Sequence, residues 1–191
     1  TEHTAGKIGK ATDYSGSSQR SIFPDNASMD LTTQGTWTMW ANADSWSRTM
    51  EKSEGYFLLG NFSGSGSNGP LIKPANSVAS SGALSTGVWY MTGGRFSYSG
   101  TGTLDAIVNG AIVDTKTSIA SAIPNSGNLY IGSDDSSAYF NGRIDEFRIS
   151  TVARSTTWIS TEYNNQNDPS TFFTIGTQEE NSFTDKMFLI F

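Results

Sequence analysis

The sequence predicts an all-β domain closed by one short C-terminal helix. Three observations carry that expectation. Apolar and polar residues alternate along short runs, as where Trp37, Met39 and Ala41 interleave with Thr36, Thr38 and Trp40. Such alternation places successive side chains on opposite faces of a strand. Turn-forming residues separate the runs: the 191-residue chain holds 20 glycines and is rich in Ser, Thr and Asn. Charged residues make up 16% and aromatic residues 12%, a composition of short strands and polar turns rather than of long helices.

The runs follow one another with clear punctuation. Residues 36–41 form the first strand, with both faces partly covered. Residues 56–62 form a second, ended by the Gly/Ser loop 63–70. Residues 88–91 and 95–98 belong to one long strand across Gly93-Gly94, where missing side chains suit a bulge or a close backbone approach. Residues 104–114 hold Asn109-Gly110 between two β-rich halves. That pair predicts a two-residue hairpin, because a type I′ turn needs positive φ at both central positions. Residues 129–133 follow, and then residues 139–149, whose apolar Phe140, Ile144, Phe147 and Ile149 keep an imperfect period that marks a bend near Gly142. Ser155 is placed to cap a helix carrying Trp158, Ile159, Glu162 and Tyr163 at helical spacing. Residues 164–169 end it, and residues 171–175 predict a return to β-structure.

Size and charge narrow the function. A chain of this length is expected to form one unit, residues 1–178, with residues 179–191 as a tail ending in the apolar run 187–191. Such a domain buries enough surface to fold without cross-links. The chain has no cysteine, which excludes disulfides, thiolate metal sites and a cysteine nucleophile. A net charge of −6 with no basic stripe argues against a nucleic-acid partner. No apolar run is long enough for a membrane-spanning helix. The start at Thr1, without Met or a signal-peptide pattern, is expected of a processed or excised chain. Low charge and many hydroxyl and amide side chains suit an extracellular or cell-surface protein.

Four segments occur in a telling order. They are Gly6-Lys7-Ile8-Gly9-Lys10-Ala11 leading to Tyr14-Ser15-Gly16; Thr36-Trp37-Thr38-Met39-Trp40-Ala41; Gly87-Val88-Trp89-Tyr90 followed by Val108-Asn109-Gly110; and Phe140-Asn141-Gly142-Arg143-Ile144-Asp145-Glu146-Phe147-Arg148-Ile149-Ser150 before Ala153-Arg154-Ser155. Over residues 6–177 the chain resembles the laminin-G-like domains of prokaryotic surface proteins, in the concanavalin A-like lectin/glucanase superfamily. The fourth segment is the most specific. The resemblance implies a jelly-roll sandwich of two antiparallel sheets. It also implies a non-catalytic role in glycan binding, adhesion or spacing. This fold hosts enzymes, lectins and spacers alike, so function must be argued from sites.

The resemblance further implies one structural calcium ion, held by the Asp145 carboxylate and a backbone carbonyl near Gly16. Calcium takes several hard oxygens, which two meeting loops can supply. This chain departs from its relatives in having Ser17, Ser18 and Gln19 where acidic residues are common. The competing reading pairs Asp145 with Arg143 or makes it a turn cap. Asp134-Asp135-Ser136-Ser137 reads as a solvated turn, with a cation or sugar site as the alternative.

Glycan binding needs an exposed ring for the sugar face and polar groups for its hydroxyls. Trp46, in residues 42–48 without apolar neighbours, is the stacking candidate, with Asp44 and Arg48 as hydrogen-bond partners. The alternative packs Trp46 down as a lid. Trp37 reads as core from its strand alternation, the resemblance implies a core position for Trp89, and Trp158 reads as the pin of the helix and Trp40 as core or surface. Tyr98 and Tyr139 are secondary candidates.

Catalysis finds no constellation. A retaining glycosidase needs two carboxylates on one face, about 5 Å apart, whereas Asp145 and Glu146 are adjacent and point to opposite faces. The single histidine, His3, lies near a frayed N-terminus and leaves a Ser-His-Asp triad without a base. Asn26-Ala27-Ser28 and Asn61-Phe62-Ser63 match the N-glycosylation pattern. The sequence therefore reads as a non-catalytic extracellular module that binds carbohydrate at a loop rim. The alternative is a spacer or protein-interaction module of a larger assembly, with residues 187–191 free to pair with a sheet edge or a second copy.

Overall fold

Alternation along one strand sets the architecture. From Gln34 to Ser45, the residues Trp37, Met39, Ala41 and Ala43 point into one core, while Trp40 points into another. The computed structural model describes residues 2–53, 57–61, 68–72, 77–120, 126–172 and 176. In chain order the strands are β1 Glu2–Ala5, β2 Lys10–Ser15, β3 Ser21–Phe23, β4 Gln34–Ser45, β5 Arg48–Lys52, β6 Phe57–Asn61 and β7 Asn68–Ile72. They continue with β8 Ser77–Val78, β9 Trp89–Ser99, β10 Thr101–Val108, β11 Ala111–Ile119, β12 Leu129–Ile131 and β13 Asn141–Ser150. One sheet has seven strands in the order β1-β2-β13-β4-β9-β10-β11, the other six in the order β3-β12-β5-β6-β7-β8. Every strand pairing is antiparallel. The fold is the expected two-sheet jelly-roll sandwich.

The inner faces enclose Tyr14, Trp37, Met39, Met50, Leu59, Phe96, Leu104 and Phe140, each at most 2% exposed. Two glycines bring β9 close against β4 beside this core. A Cβ on Gly94 would lie 2.5 Å from the Trp37 ring, and one on Gly93 would lie 2.2 Å from the Trp37 carbonyl oxygen. The register of β9 with β4 runs through both glycines without a shift. Gly93-Gly94 is thus a close approach and not a bulge.

The Asn109-Gly110 hairpin forms as its sequence dictates, with φ of 48° and 80° at the two turn residues. The bend at Gly142 is also present: φ is 138°, and the pairing with β4 shifts between Asn141 and Gly142. A second shift falls between Asp145 and Arg148, where Glu146 adopts φ 49°, a conformation that glycine accepts more readily. Nothing in the side chain of Glu146 announces it.

The helix α1, Thr156–Asn167, begins as expected, with the Ser155 hydroxyl accepting from the Trp158 N–H at 3.1 Å. Its buried residues are Ile159, Glu162 and Gln166. Trp158 is 37% exposed, with the Arg154 guanidinium 4.7 Å from its ring centre. Ile159, not Trp158, pins the helix.

Other expectations are corrected. Residues 68–70 belong to strand β7 and not to a loop. Thr171 and Phe172 lie in a short helical turn, α2 Pro169–Phe172, rather than in a strand. Pro169 suits a first helical position, and the Asp168 carboxylate accepts from the Ser170 hydroxyl. His3 sits in β1 opposite Thr12 and is not frayed. Residues 173–175 and the tail 179–191 lie outside the described residues. Among the described residues no helix is long and apolar enough to cross a membrane.

Candidate functional site

The outer face of the seven-stranded sheet carries its side chains in rows across the strands. One row sets Asp145, Trp40 and Met91 side by side. This row is closed. Trp40 and Met91 are 1% exposed and pack with Ile107 and Ile159 in a second core. Tyr163 of α1 stacks on Trp40 at 5.6 Å, and Trp40 Nε1 donates to Gln166 Oε1 at 2.6 Å. The Lys7 ammonium lies 4.7 Å from the Trp40 ring centre and donates to Asn167 Oδ1 at 2.9 Å. Trp40, left open between core and surface by its sequence, is core.

The next row lies past the C-terminal end of α1. It runs Asp13, Arg143, Asn42, Trp89 across β2, β13, β4 and β9. Asp44 continues the same face two residues beyond Asn42, as alternation requires. Asp13, Tyr14, Ser15, Gln19, Asp44 and Asn141 line an open cleft of about 420 Å³. Gln19 is oriented there because its Oε1 accepts from the Ser15 N–H at 2.8 Å.

Trp89 is half-buried at the margin of the second core. The Arg143 guanidinium lies 5.4 Å from its ring centre. The strands bearing these residues flank β4 and are about 10 Å apart, at the usual spacing of neighbours. The Arg143 side chain therefore reaches over β4, above Asn42. Asn42 is 3% exposed, and its Oδ1 has no hydrogen-bond partner. The strip thus combines one aromatic ring, two carboxylates, an arginine and the amides of Asn42 and Asn141 on strands, with Gln19 on the connection from β2 to β3.

The residues singled out from sequence fall in different places. Trp46 is half-buried against the main core, 6.3 Å from Tyr90 and 6.1 Å from Phe140 by ring centres. Its Nε1 donates to the Ser85 carbonyl at 3.3 Å. It fills the corner where β4 leaves one sheet and β5 enters the other, as the lid reading has it. Asp44 is exposed and lines the cleft. Arg48 stands on β5 in the other sheet and is not a lining residue of that cleft. Burial draws its pKa below the usual guanidinium value, against the opposing pull of Glu51 and Asp134. Tyr98 packs partly buried on the core, and Tyr139 bridges to Ser133.

The two positions implied for calcium do not meet. Asn141 pairs with Ser15 and Ile144 with Thr12, so Asp145 stands level with Ala11. Gly16 lies five positions away, about 16 Å along the strand. Both Asp145 oxygens accept main-chain hydrogens, Oδ2 from Ile8 and Oδ1 from Glu146, at 2.9 and 2.8 Å. Asp145 thereby pins the loop between β1 and β2, and the pair does not fit one ion. Among the described residues no three His, Cys, Asp or Glu side chains are grouped to hold a metal.

The other acids are tied into the scaffold. Asp134 Oδ1 accepts from the N–H groups of Ser136, Ser137 and Ala138 and from the Ser136 hydroxyl. Arg20 donates to the carbonyls of residues 134 and 135 while lying 4.8 Å from the Tyr130 ring centre. Arg148 bridges Glu146 and Glu162 at 2.7 and 2.5 Å. Burial works to lower its pKa, but the two carboxylates outweigh that and raise it. Asp105, on β10, takes Arg95 and Thr115 at 2.7 and 2.6 Å.

Residues 15–160, which hold three of the four segments whole, match the model of one sequence family, described as the concanavalin A-like lectin/glucanases superfamily, of laminin-G type. The chain belongs to that superfamily. Among curated proteins no sequence matches it. Solved structures of similar fold include domain 4 of AbnA, an extracellular arabinanase from Geobacillus stearothermophilus, in complex with arabinotriose. That match has a TM-score of 0.60 and 18% identity and covers 83% of this chain and 78% of that one. A carbohydrate-binding protein of Bacteroides ovatus, so described provisionally, gives a TM-score of 0.63 and 21% identity over 78% of this chain and 46% of that one. A Trypanosoma rangeli sialidase gives 0.61 and 14% over 87% and 29%. The chain thus spans under half the length of the last two. At these identities the likeness establishes the concanavalin A-like fold and nothing about the role of this chain.

Proposed function

We propose that this chain is a non-catalytic glycan-binding module of an extracellular protein, and that it takes its ligand on the strip beyond α1. The observation that carries the reading is the row Asp13, Arg143, Asn42, Trp89 beside the cleft lined by Ser15, Gln19, Asp44 and Asn141. A ring offers a face for sugar C–H groups, and amides and carboxylates converge on hydroxyls. All but Gln19 stand on strands, and Gln19 is held by the Ser15 N–H, so little ordering opposes binding. The arabinotriose-bound domain and the Bacteroides protein support the same class of ligand.

This reading moves the stacking role from Trp46 to Trp89 and keeps Asp44. A glycan array tests it: the wild-type chain is retained by one class of glycan, and Asp44→Ala and Asn141→Ala each lose retention while staying folded. Incubation with the retained polysaccharide yields no new reducing ends. Retention that survives both substitutions contradicts the site, and new reducing ends contradict the non-catalytic reading.

A second reading has one observation behind it. Ile22 and Phe23 on β3, an edge strand of the six-stranded sheet, are 50% and 47% exposed. Exposed apolar side chains on a sheet edge suit pairing with another chain, as a spacer or interaction module would use. Light scattering decides it: a monomer of Ile22→Lys and an oligomer of wild type support this reading.

A further inference from the structure

Asn42 presents a problem that the scaffold does not solve. Its Oδ1 is buried and unpartnered, and a buried acceptor without a donor is costly. By register it lies between Arg143 and Trp89, whose side chains meet across β4. The cover itself is weakly held. Arg143 is half-exposed and its contact with Trp89 is a cation–π stack near solvent, which is a modest interaction in water. On its other side Arg143 has Asp13 as its cross-strand neighbour on β2, close enough for an alternative ion pair.

Resting on the glycan-binding reading, we infer that Arg143 is a displaceable cover and that the ligand is a neutral, hydroxyl-rich glycan which replaces it. A sugar ring stacks on the Trp89 face that Arg143 leaves, and one sugar hydroxyl donates to Asn42 Oδ1. Arg143 swings towards Asp13. The ligand's charge follows from the acceptors. Asp44 and Asn42 Oδ1 are the acceptors left to the ligand once Arg143 has turned to Asp13, and two carboxylates beside one arginine repel a uronate or a sulfate. A neutral sugar supplies hydroxyl donors without adding a charge to desolvate. The covering arginine acts as a stand-in for the ligand, so the free site stays shielded from water until a glycan competes for it.

The test uses two readouts. Without any ligand, N-bromosuccinimide oxidises Trp89 severalfold faster in Arg143→Ala than in wild type, and Trp89→Phe removes that phase. With ligand, titration calorimetry compares neutral oligosaccharides (arabino-, gluco- and manno-oligosaccharides) with oligogalacturonate, sialyllactose and chitosan oligosaccharides. The neutral class binds wild type, and Arg143→Ala binds it about two- to fivefold more tightly, the fold-change that matches loss of an exposed cation–π competitor. Asn42→Ala binds it about fivefold or more weakly. Should Asn42→Ala not fold, the Arg143 arms decide alone. Unchanged oxidation with unchanged or weaker binding in Arg143→Ala overturns the cover while leaving the binding strip standing, provided Asp44→Ala still abolishes binding. Tighter binding of an acidic or cationic glycan overturns the neutral assignment. No binding of any glycan by wild type or Arg143→Ala overturns both this inference and the reading beneath it.

Discussion

Trp40 Nε1 donates to Gln166 Oε1 at 2.6 Å, and this bond ties the central strand β4 to the last turn of α1. It also fixes where the sheet stops being covered. On one side of Trp40 the outer face lies under the helix; on the other the row of Asn42 begins. The helix therefore bounds the strip on the Trp40 side.

Removing this tie leaves a buried indole N–H without an acceptor. Gln166→Ala is expected to cost about 1–3 kcal/mol, and Ile159→Ala, which empties a fully buried site under the helix, about 2–5 kcal/mol. Urea unfolding followed by tryptophan fluorescence measures both. Losses below half a kilocalorie per mole would mean that α1 is not part of the cooperative unit.

Gly94→Ala places a methyl group 2.5 Å from the Trp37 ring, at the centre of the sandwich. The ring is 0% exposed and has nowhere to retreat. Overpacking of this kind costs about 1–3 kcal/mol, readable as a lower melting temperature. Gly82→Ala provides the contrast in space alone: nothing lies within 4 Å of its Cβ position, though its φ of 73° carries a backbone cost.

Acid should weaken the fold partly through Asp134. Burial disfavours its charge, but the N–H groups of Ala138, Ser136 and Ser137 and the Ser136 hydroxyl outweigh burial and hold its pKa below the ordinary aspartate value. A carboxyl with a lower pKa folded than unfolded binds fewer protons when folded. Its stabilisation is complete above the unfolded value near about 4 and fades as pH falls through the folded one. The gap in melting temperature between wild type and Asp134→Asn should thus shrink between about pH 5 and pH 2. A gap that stays constant over that range would show that the carboxylate charge contributes nothing.

Trp46→Ala is expected to destabilise the domain by about 2 kcal/mol or more, since it empties a corner against Tyr90 and Phe140. Trp46→Phe should recover most of that loss and retain glycan binding. Chemical denaturation and array retention on the same samples separate the two effects. Selective loss of retention in a fully stable Trp46→Phe protein would return the stacking role to Trp46.

The sequence revealed what is local. The Asn109-Gly110 turn, the Ser155 cap and the alternation around Trp37 are short-range patterns with a direct backbone consequence. Trp46 was ambiguous because its partners Tyr90 and Phe140 are remote in the chain, so its local surroundings look like an open loop. Trp89 read as core because it matches a core position of the family that the chain resembles, and its half-open face emerges only when β13 and β4 are laid beside β9. The strip had no sequence signature at all: its members come from positions 13 to 143 and are joined by register alone. Glu146 at positive φ was equally hidden, because the bulge serves the Arg148 bridge to α1 rather than any local preference.

The measurement that bears most directly on the central claim is titration of the array-selected glycan into wild type, Asp44→Ala and Trp89→Ala, each first shown to be folded by circular dichroism. The account predicts binding by wild type and loss of about tenfold or more in each variant, in line with losing a stacked ring or a directed hydrogen bond at a buried contact. Equal affinity in all three proteins would contradict it and place the ligand elsewhere on the sandwich.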